Sequence, residues 1–150
     1  ILDRYLRSKG QDPDRLTILQ RLALIGSTGR GALEYRPDYS ESSEDEIIDL
    51  NHLANESEKI ITPDYDGDSL DKLYQFAGSS GGARPKVFIK IEDKEWLVKF
   101  KATMDPENVG EIEYNHSLLA KKCGIRMPET RLFEGKYFGT ERFDRTSGGK

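Results

Sequence analysis

Lys86-Val87-Phe88-Ile89-Lys90-Ile91 and Trp96-Leu97-Val98-Lys99-Phe100 stand on either side of the polar stretch Glu92-Asp93-Lys94-Glu95. β-branched and aromatic runs around so short a turn predict an antiparallel hairpin. Ahead of it lies Gly78-Ser79-Ser80-Gly81-Gly82, a glycine loop. Behind it, Asp105-Pro106-Glu107 predicts the start of a helix that runs to about Cys123 and stops at Gly124. Arg131-Leu132-Phe133 and Tyr137 to Phe143, around the turn Glu134-Gly135-Lys136, predict a second hairpin. The order is glycine loop, hairpin, helix, hairpin, which calls for an α+β fold. No internal repeat is visible.

The first half is organised differently. Ile1 to Leu6 and Leu16 to Ile25 predict helices, the second with Leu16, Leu19, Ala23 and Gly26 along one face. Asp12-Pro13-Asp14 suits a helix start, because proline fits the first turn and aspartate opposes the helix dipole. Ser27 to Gly31 reads as a turn, and Ala32 to Tyr35 as a short strand ending near Pro37. From Asp38 to Asp71 there are 12 acidic residues and one basic residue, Lys59, a charge of about -11. The rest of the chain carries about +7, so the net -4 conceals a positive remainder. Tyr39-Ser40-Glu41-Ser42-Ser43-Glu44-Asp45-Glu46 reads as a solvated linker between packed parts, with an acidic segment for a basic partner as the alternative. Ile47 to Ile61 and Ser69 to Phe76 predict two further helices.

Several classes drop out. At 150 residues with a mean hydropathy of -0.71, the chain is the size of one ordinary domain. It has no run of apolar residues long enough to span a membrane and no secretory signal. The single cysteine, Cys123, points to a reducing cytoplasm, and the net charge gives no reason to expect direct nucleic-acid binding. Asp64-Tyr65-Asp66-Gly67-Asp68 is not a calcium loop, because its glycine falls at position four instead of six. Asn55-Glu56-Ser57 and Asn115-His116-Ser117 match a glycosylation sequon only by accident of composition in such a compartment. His52, His116 and Cys123 are too few and too scattered for a metal site. The chain begins at Ile1 and ends on Thr146-Ser147-Gly148-Gly149-Lys150, and both ends read as cut.

Three features carry chemistry in combination. Gly78 to Gly82 holds three glycines in five residues, so its backbone N–H groups can turn toward phosphate oxygens without obstruction by a Cβ. It is not a P-loop, and alone it is equally a flexible link. Lys99 follows on the second strand, facing away from Val98 and Phe100. By itself it is an ordinary solvated lysine. The following helix supplies Glu111 and Glu113. A glycine loop, a strand lysine and a helix glutamate in that order make the arrangement with which protein kinases hold ATP phosphates.

Phe76 to Lys86 resembles the nucleotide loop of HipA-like serine/threonine kinases, and Trp96-Leu97-Val98-Lys99-Phe100 resembles their lysine strand. Glu113-Tyr114, Leu118 to Lys121, Cys123-Gly124-Ile125 and Met127 to Thr130 resemble their αC-like helix and its exit. Tyr137 to Arg145 resembles their hinge, and Gly29 to Tyr35 with Pro37 resembles their amino-terminal segment. The resemblance implies a kinase-like N-lobe over 72–150, an antiparallel sheet with a glycine loop and an αC-like helix. The end of a HipA-type N-terminal subdomain would precede it over 1–37, with the acidic linker 38–71, itself containing a helix, between. It implies an ATP- and magnesium-dependent protein kinase, the toxin of a bacterial toxin–antitoxin pair. A HipB-like DNA-binding antitoxin would be its partner and glutamyl-tRNA synthetase its best-known kind of substrate. By position, amides of Ser80, Gly81, Gly82 and Ala83 would grip the γ-phosphate. Lys99 would neutralise the α/β-phosphates and Glu113 would orient it, with Glu111 as rival. Main-chain groups of Glu141 and Phe143 would meet the adenine. Ser79 matches the autophosphorylated serine, where a charge of about -2 would eject the loop.

In this family the catalytic aspartate and the magnesium ligands lie beyond the hinge. The expectation is therefore that these 150 residues alone transfer no phosphate and bind ATP weakly. The alternative is a non-catalytic protein-interaction module that keeps the shape of a kinase N-lobe.

Overall fold

The computed structural model of the chain describes residues 2–29, 33–40, 49–59, 70–77 and 84–144. The turn Asp64 to Asp68, the stretch Glu41 to Ile48 and the glycine segment Gly78 to Ala83 lie outside the described residues. The fold is α+β, with a four-stranded antiparallel sheet in the order β1-β2-β4-β3.

Both expected hairpins form. β1 (Lys86–Ile91) pairs with β2 (Lys94–Lys99) in the register Val87↔Val98 and Ile89↔Trp96. Glu92 and Asp93, the two turn residues, both take positive φ, 49° and 64°. That handedness matches the right-handed twist of the flanking strands. β3 (Thr130–Phe133) pairs with β4 (Tyr137–Glu141) around Glu134 and Gly135, which also take positive φ. β2 and β4 then join the hairpins, with Val98 opposite Gly139. Gly139 is required at that position, because a Cβ there would overlap the Phe133 ring.

The pleat divides the sheet into two faces. Val87, Ile89, Trp96, Val98 and Tyr137 point to the core, where they meet α3 (Leu50–Lys59) and α4 (Leu70–Ala77). Trp96 and Val98 are wholly buried; Trp96 meets Phe133 edge-to-face, and Phe100 meets Tyr137 likewise. Leu50, Leu53 and Ala54 put α3 inside this core, and Tyr137 Oη donates to Asn51 Oδ1 at 3.0 Å. The 50–59 part of the acidic stretch therefore forms the helix expected over Ile47 to Ile61 and packs into the core. Its three apolar residues are enough because they share one side of the helix.

α5 (Val109–Lys122) covers the opposite face over β3 and β4. Its end follows the expectation, with Cys123 as cap and Gly124 at φ 80°. The buried hydroxyls of Ser117 and Thr130 are 3.0 Å apart. Ser117 donates to the Tyr114 carbonyl and Lys121 donates to Thr130, so neither hydroxyl is orphaned.

The amino-terminal part departs most from its sequence pattern. α1 (Leu2–Ser8) forms as expected and stacks Tyr5 on Tyr74 of α4, with ring centroids 4.4 Å apart. Asp12-Pro13-Asp14 starts only a single 3-10 turn, Pro13–Arg15. α2 (Ile18–Ile25) begins instead at Thr17, which forms a reciprocal capping box with Gln20. Leu19 is 78% exposed, so the expected apolar face of α2 is not buried along its length. The described part of the expected strand, Leu33 to Pro37, is irregular.

Asp38 closes this region. Its carboxylate accepts Ser27 N–H at 3.0 Å, Ser40 N–H at 2.9 Å and the Ser40 hydroxyl at 2.6 Å. The bonds from Ser27, then Ser40, hold its carboxyl far below the ordinary aspartate value of 3.8. A depressed carboxyl stabilises the fold above the ordinary value, and that contribution is lost as pH falls through the folded value. Acidification below 3.8 is thus expected to loosen the bonds from Ser27 and Ser40 to Asp38, read as faster exchange of the Ser27 and Ser40 amides. Asp38→Asn should flatten that pH dependence.

Candidate functional site

β2 carries Trp96 and Val98 into the core and so turns Lys99 to the α5 face. There the Lys99 ammonium pairs with the Glu113 carboxylate, with the two side chains 31% and 29% exposed. Lys99 Nζ also lies 5.3 Å from the centroid of the buried Phe138 ring.

Helical phase selects Glu113 over Glu111. Gly110, Glu113 and Ser117 follow one another at three- and four-residue spacing and share the sheet-facing side of α5, whereas Glu111 is exposed. Gly110 sets the distance. A Cβ there would overlap the Lys136 carbonyl oxygen, so only glycine lets the first turn of α5 press against the β3–β4 turn. That approach brings Glu113 to Lys99.

Beside the pair opens a cavity of about 340 Å³ lined by Lys99, Glu113, His116, Met127, Phe138 and Thr140. Thr140 immediately precedes Glu141, the last residue of β4. Glu141 N–H is taken by the Glu129 carbonyl at 2.8 Å, and Arg142 N–H by the Glu95 carbonyl at 2.8 Å. Beyond them Phe143 is 86% exposed. The Arg142 side chain is only 6% exposed; it lies over the Phe88 ring at 4.9 Å, reaches Glu95 at 3.2 Å and makes a two-pronged pair with Asp144. Asp144, and less so Glu95, holds the guanidinium firmly protonated.

On its other side Lys99 borders a second cavity, of about 290 Å³, between α3 and the start of α5. Lys101 spans its rim, 2.6 Å from Glu107 and 3.3 Å from Glu58 of α3. These partners, Glu107 first, push the Lys101 ammonium above its ordinary value.

Residues 78–150 match the family model of the HipA-like C-terminal domain. That stretch is HipA-like. No curated protein and no solved structure matches the chain.

Among the site residues expected from the sequence, this HipA-like domain brings Lys99 and Glu113 into contact and places Glu141 and Phe143 at the exit of β4. Ser79, Ser80, Gly81, Gly82 and Ala83 lie outside the described residues. Three residues around the site were given no role of their own from the sequence: Phe138, Thr140 and Arg142. The signal for Phe138 and Thr140 is strand alternation, since both share the face opposite Tyr137. Arg142 reaches Glu95 and Phe88, partners distant in sequence that no local pattern reveals. Among the described residues, no cluster of three or more His, Cys, Asp or Glu side chains suits a metal ion. No described helix is long and apolar enough to cross a membrane.

Proposed function

We propose that residues 72–150 form the ATP-binding lobe of a serine/threonine protein kinase. The Lys99–Glu113 pair carries this reading, because it stands one hairpin after a glycine segment and faces an open cavity. Lys99 supplies the positive charge for the α- and β-phosphates, and Glu113 holds that ammonium in place. Backbone amides of Ser80, Gly81, Gly82 and Ala83 take the γ-phosphate. At the sheet exit the Glu141 N–H is already committed to Glu129, so Glu141 offers its carbonyl to the adenine, and Phe143 offers its main chain. Magnesium would accompany the nucleotide and neutralise phosphate charge. No residue of 1–150 is assigned to hold it or to accept the substrate hydroxyl proton, so this stretch alone is expected to bind ATP weakly and transfer no phosphate.

Phosphorylation of Ser79 adds about two negative charges beside the phosphate cradle and displaces it. The toxin–antitoxin role, with a HipB-like antitoxin as partner and a protein such as glutamyl-tRNA synthetase as substrate, belongs to the same proposal, as does a cytoplasmic location.

The test is titration of the intact protein with ATP and magnesium, followed by transfer of labelled phosphate to protein. Saturable binding and serine phosphorylation are expected. Binding without transfer would favour the interaction module, and the absence of both overturns the nucleotide reading.

A further inference from the structure

The chain leaves the glycine segment at Arg84 and enters β1 at Lys86. Arg84 Nη2 donates to Asp105 Oδ1 at 2.8 Å. The second carboxylate oxygen of Asp105 accepts Ala102 N–H at 2.9 Å, and Asp105 N–H donates back to the Ala102 carbonyl at 2.9 Å. Its side chain is 14% exposed against 45% for Arg84. The Ala102 N–H, then Arg84, lowers the Asp105 carboxyl below its ordinary value. The same corner is closed by Phe100 N–H donating to the Pro85 carbonyl at 2.9 Å.

One carboxylate thus joins three parts of the site. It grips the residue that follows the glycine segment, it shapes the turn that leaves β2 after Lys99, and it sits four residues ahead of α5, which carries Glu113. We infer that Asp105 is a positioning residue that fixes Arg84 and the entry to β1 relative to the Lys99–Glu113 pair. This rests on the nucleotide reading above. Asp105 need not touch the nucleotide. A partly exposed ion pair contributes little to global stability, so breaking it shifts geometry without unfolding the protein.

Asp105→Asn in the intact protein keeps the shape and replaces one acceptor oxygen with a donor amide. The ATP Michaelis constant is expected to rise about fivefold, with kcat within about twofold and the melting temperature little changed. Arg84→Gln should give the same rise, the double variant no more than either single, and Arg84→Lys a partial recovery. Arg84 is exposed, so its variant carries the test if Asp105→Asn fails to fold. Unchanged Michaelis constants or additive singles overturn the inference.

Backbone amide exchange without nucleotide supplies the second arm. Asp105→Asn should speed exchange in both 84–91 and 105–113. Acceleration confined to 105–113 would mean that Asp105 serves only its own turn, which also overturns the inference. If the unaltered protein neither binds nor uses ATP, the nucleotide reading fails while the exchange result still decides whether Asp105 couples the two segments.

Discussion

Replacing Lys99 with methionine is expected to cut ATP-dependent phosphorylation by the intact protein about a hundredfold or more, with little change in melting temperature. The size follows from removing a fixed charge aimed at the phosphates, a loss comparable to that of an oxyanion-hole donor. The small effect on stability follows from the exposure of the pair, about a third on each side chain, which places it among ion pairs of low net worth. The methionine stem still packs beside Phe138, so the cost falls on charge and not on packing. Glu113→Gln should act through Lys99 and lose less. The double variant should resemble Lys99→Met alone, because residues that work as a unit are not additive. Activity within about threefold of the unaltered protein for Lys99→Met would show that phosphate is held elsewhere.

The second large effect concerns Gly110. Alanine is the better helix former by about 1 kcal/mol, so propensity alone predicts that Gly110→Ala stabilises α5. The surroundings reverse the sign. The new methyl would overlap the Lys136 carbonyl oxygen and crowd Phe138 N, which are backbone atoms that yield only if the β3–β4 turn moves. A net loss of about 1–3 kcal/mol is expected, as for other overpacked sites, with a fall of several degrees in melting temperature. Any displacement of the first turn of α5 also carries Glu113 away from Lys99, so nucleotide affinity should fall with it. A melting temperature at or above that of the unaltered protein would refute this account of the close approach.

Much of the carboxyl-terminal half was legible in the sequence, and the reason is that its signals are local. Period-two runs, two short polar turns and a helix stopped by Gly124 each act within a few residues, and together they set both hairpins and α5. Lys99 was legible because strand alternation fixes its face once Val98 is buried. The choice between Glu111 and Glu113 stayed open, although Gly110 and Ser117 mark the inward side of α5 and decide it by phase. The amino-terminal half misled for a physical reason. A helix within Ile47 to Ile61 was legible in the acidic stretch, but its seat in the core was not, because that depends on strands far away in sequence. In α2, Leu19 completes an apolar pattern yet remains in solvent, because burial depends on what lies opposite and not on the helix itself. Asp105 read as a helix opener, and its grip on Arg84 spans 21 residues.

The hydrogen bond between Asn51 and Tyr137 joins residues 86 positions apart. On the ribosome, α3 is made long before the strands that cover it. At a synthesis rate of about 5–20 residues per second, Leu50 and Leu53 wait roughly 4–17 seconds for β4 to exist. During that interval they are apolar residues within a strongly acidic stretch, without the strands that cover them in the fold. The self-repulsion of that negative charge opposes association of the nascent chain until its core can close.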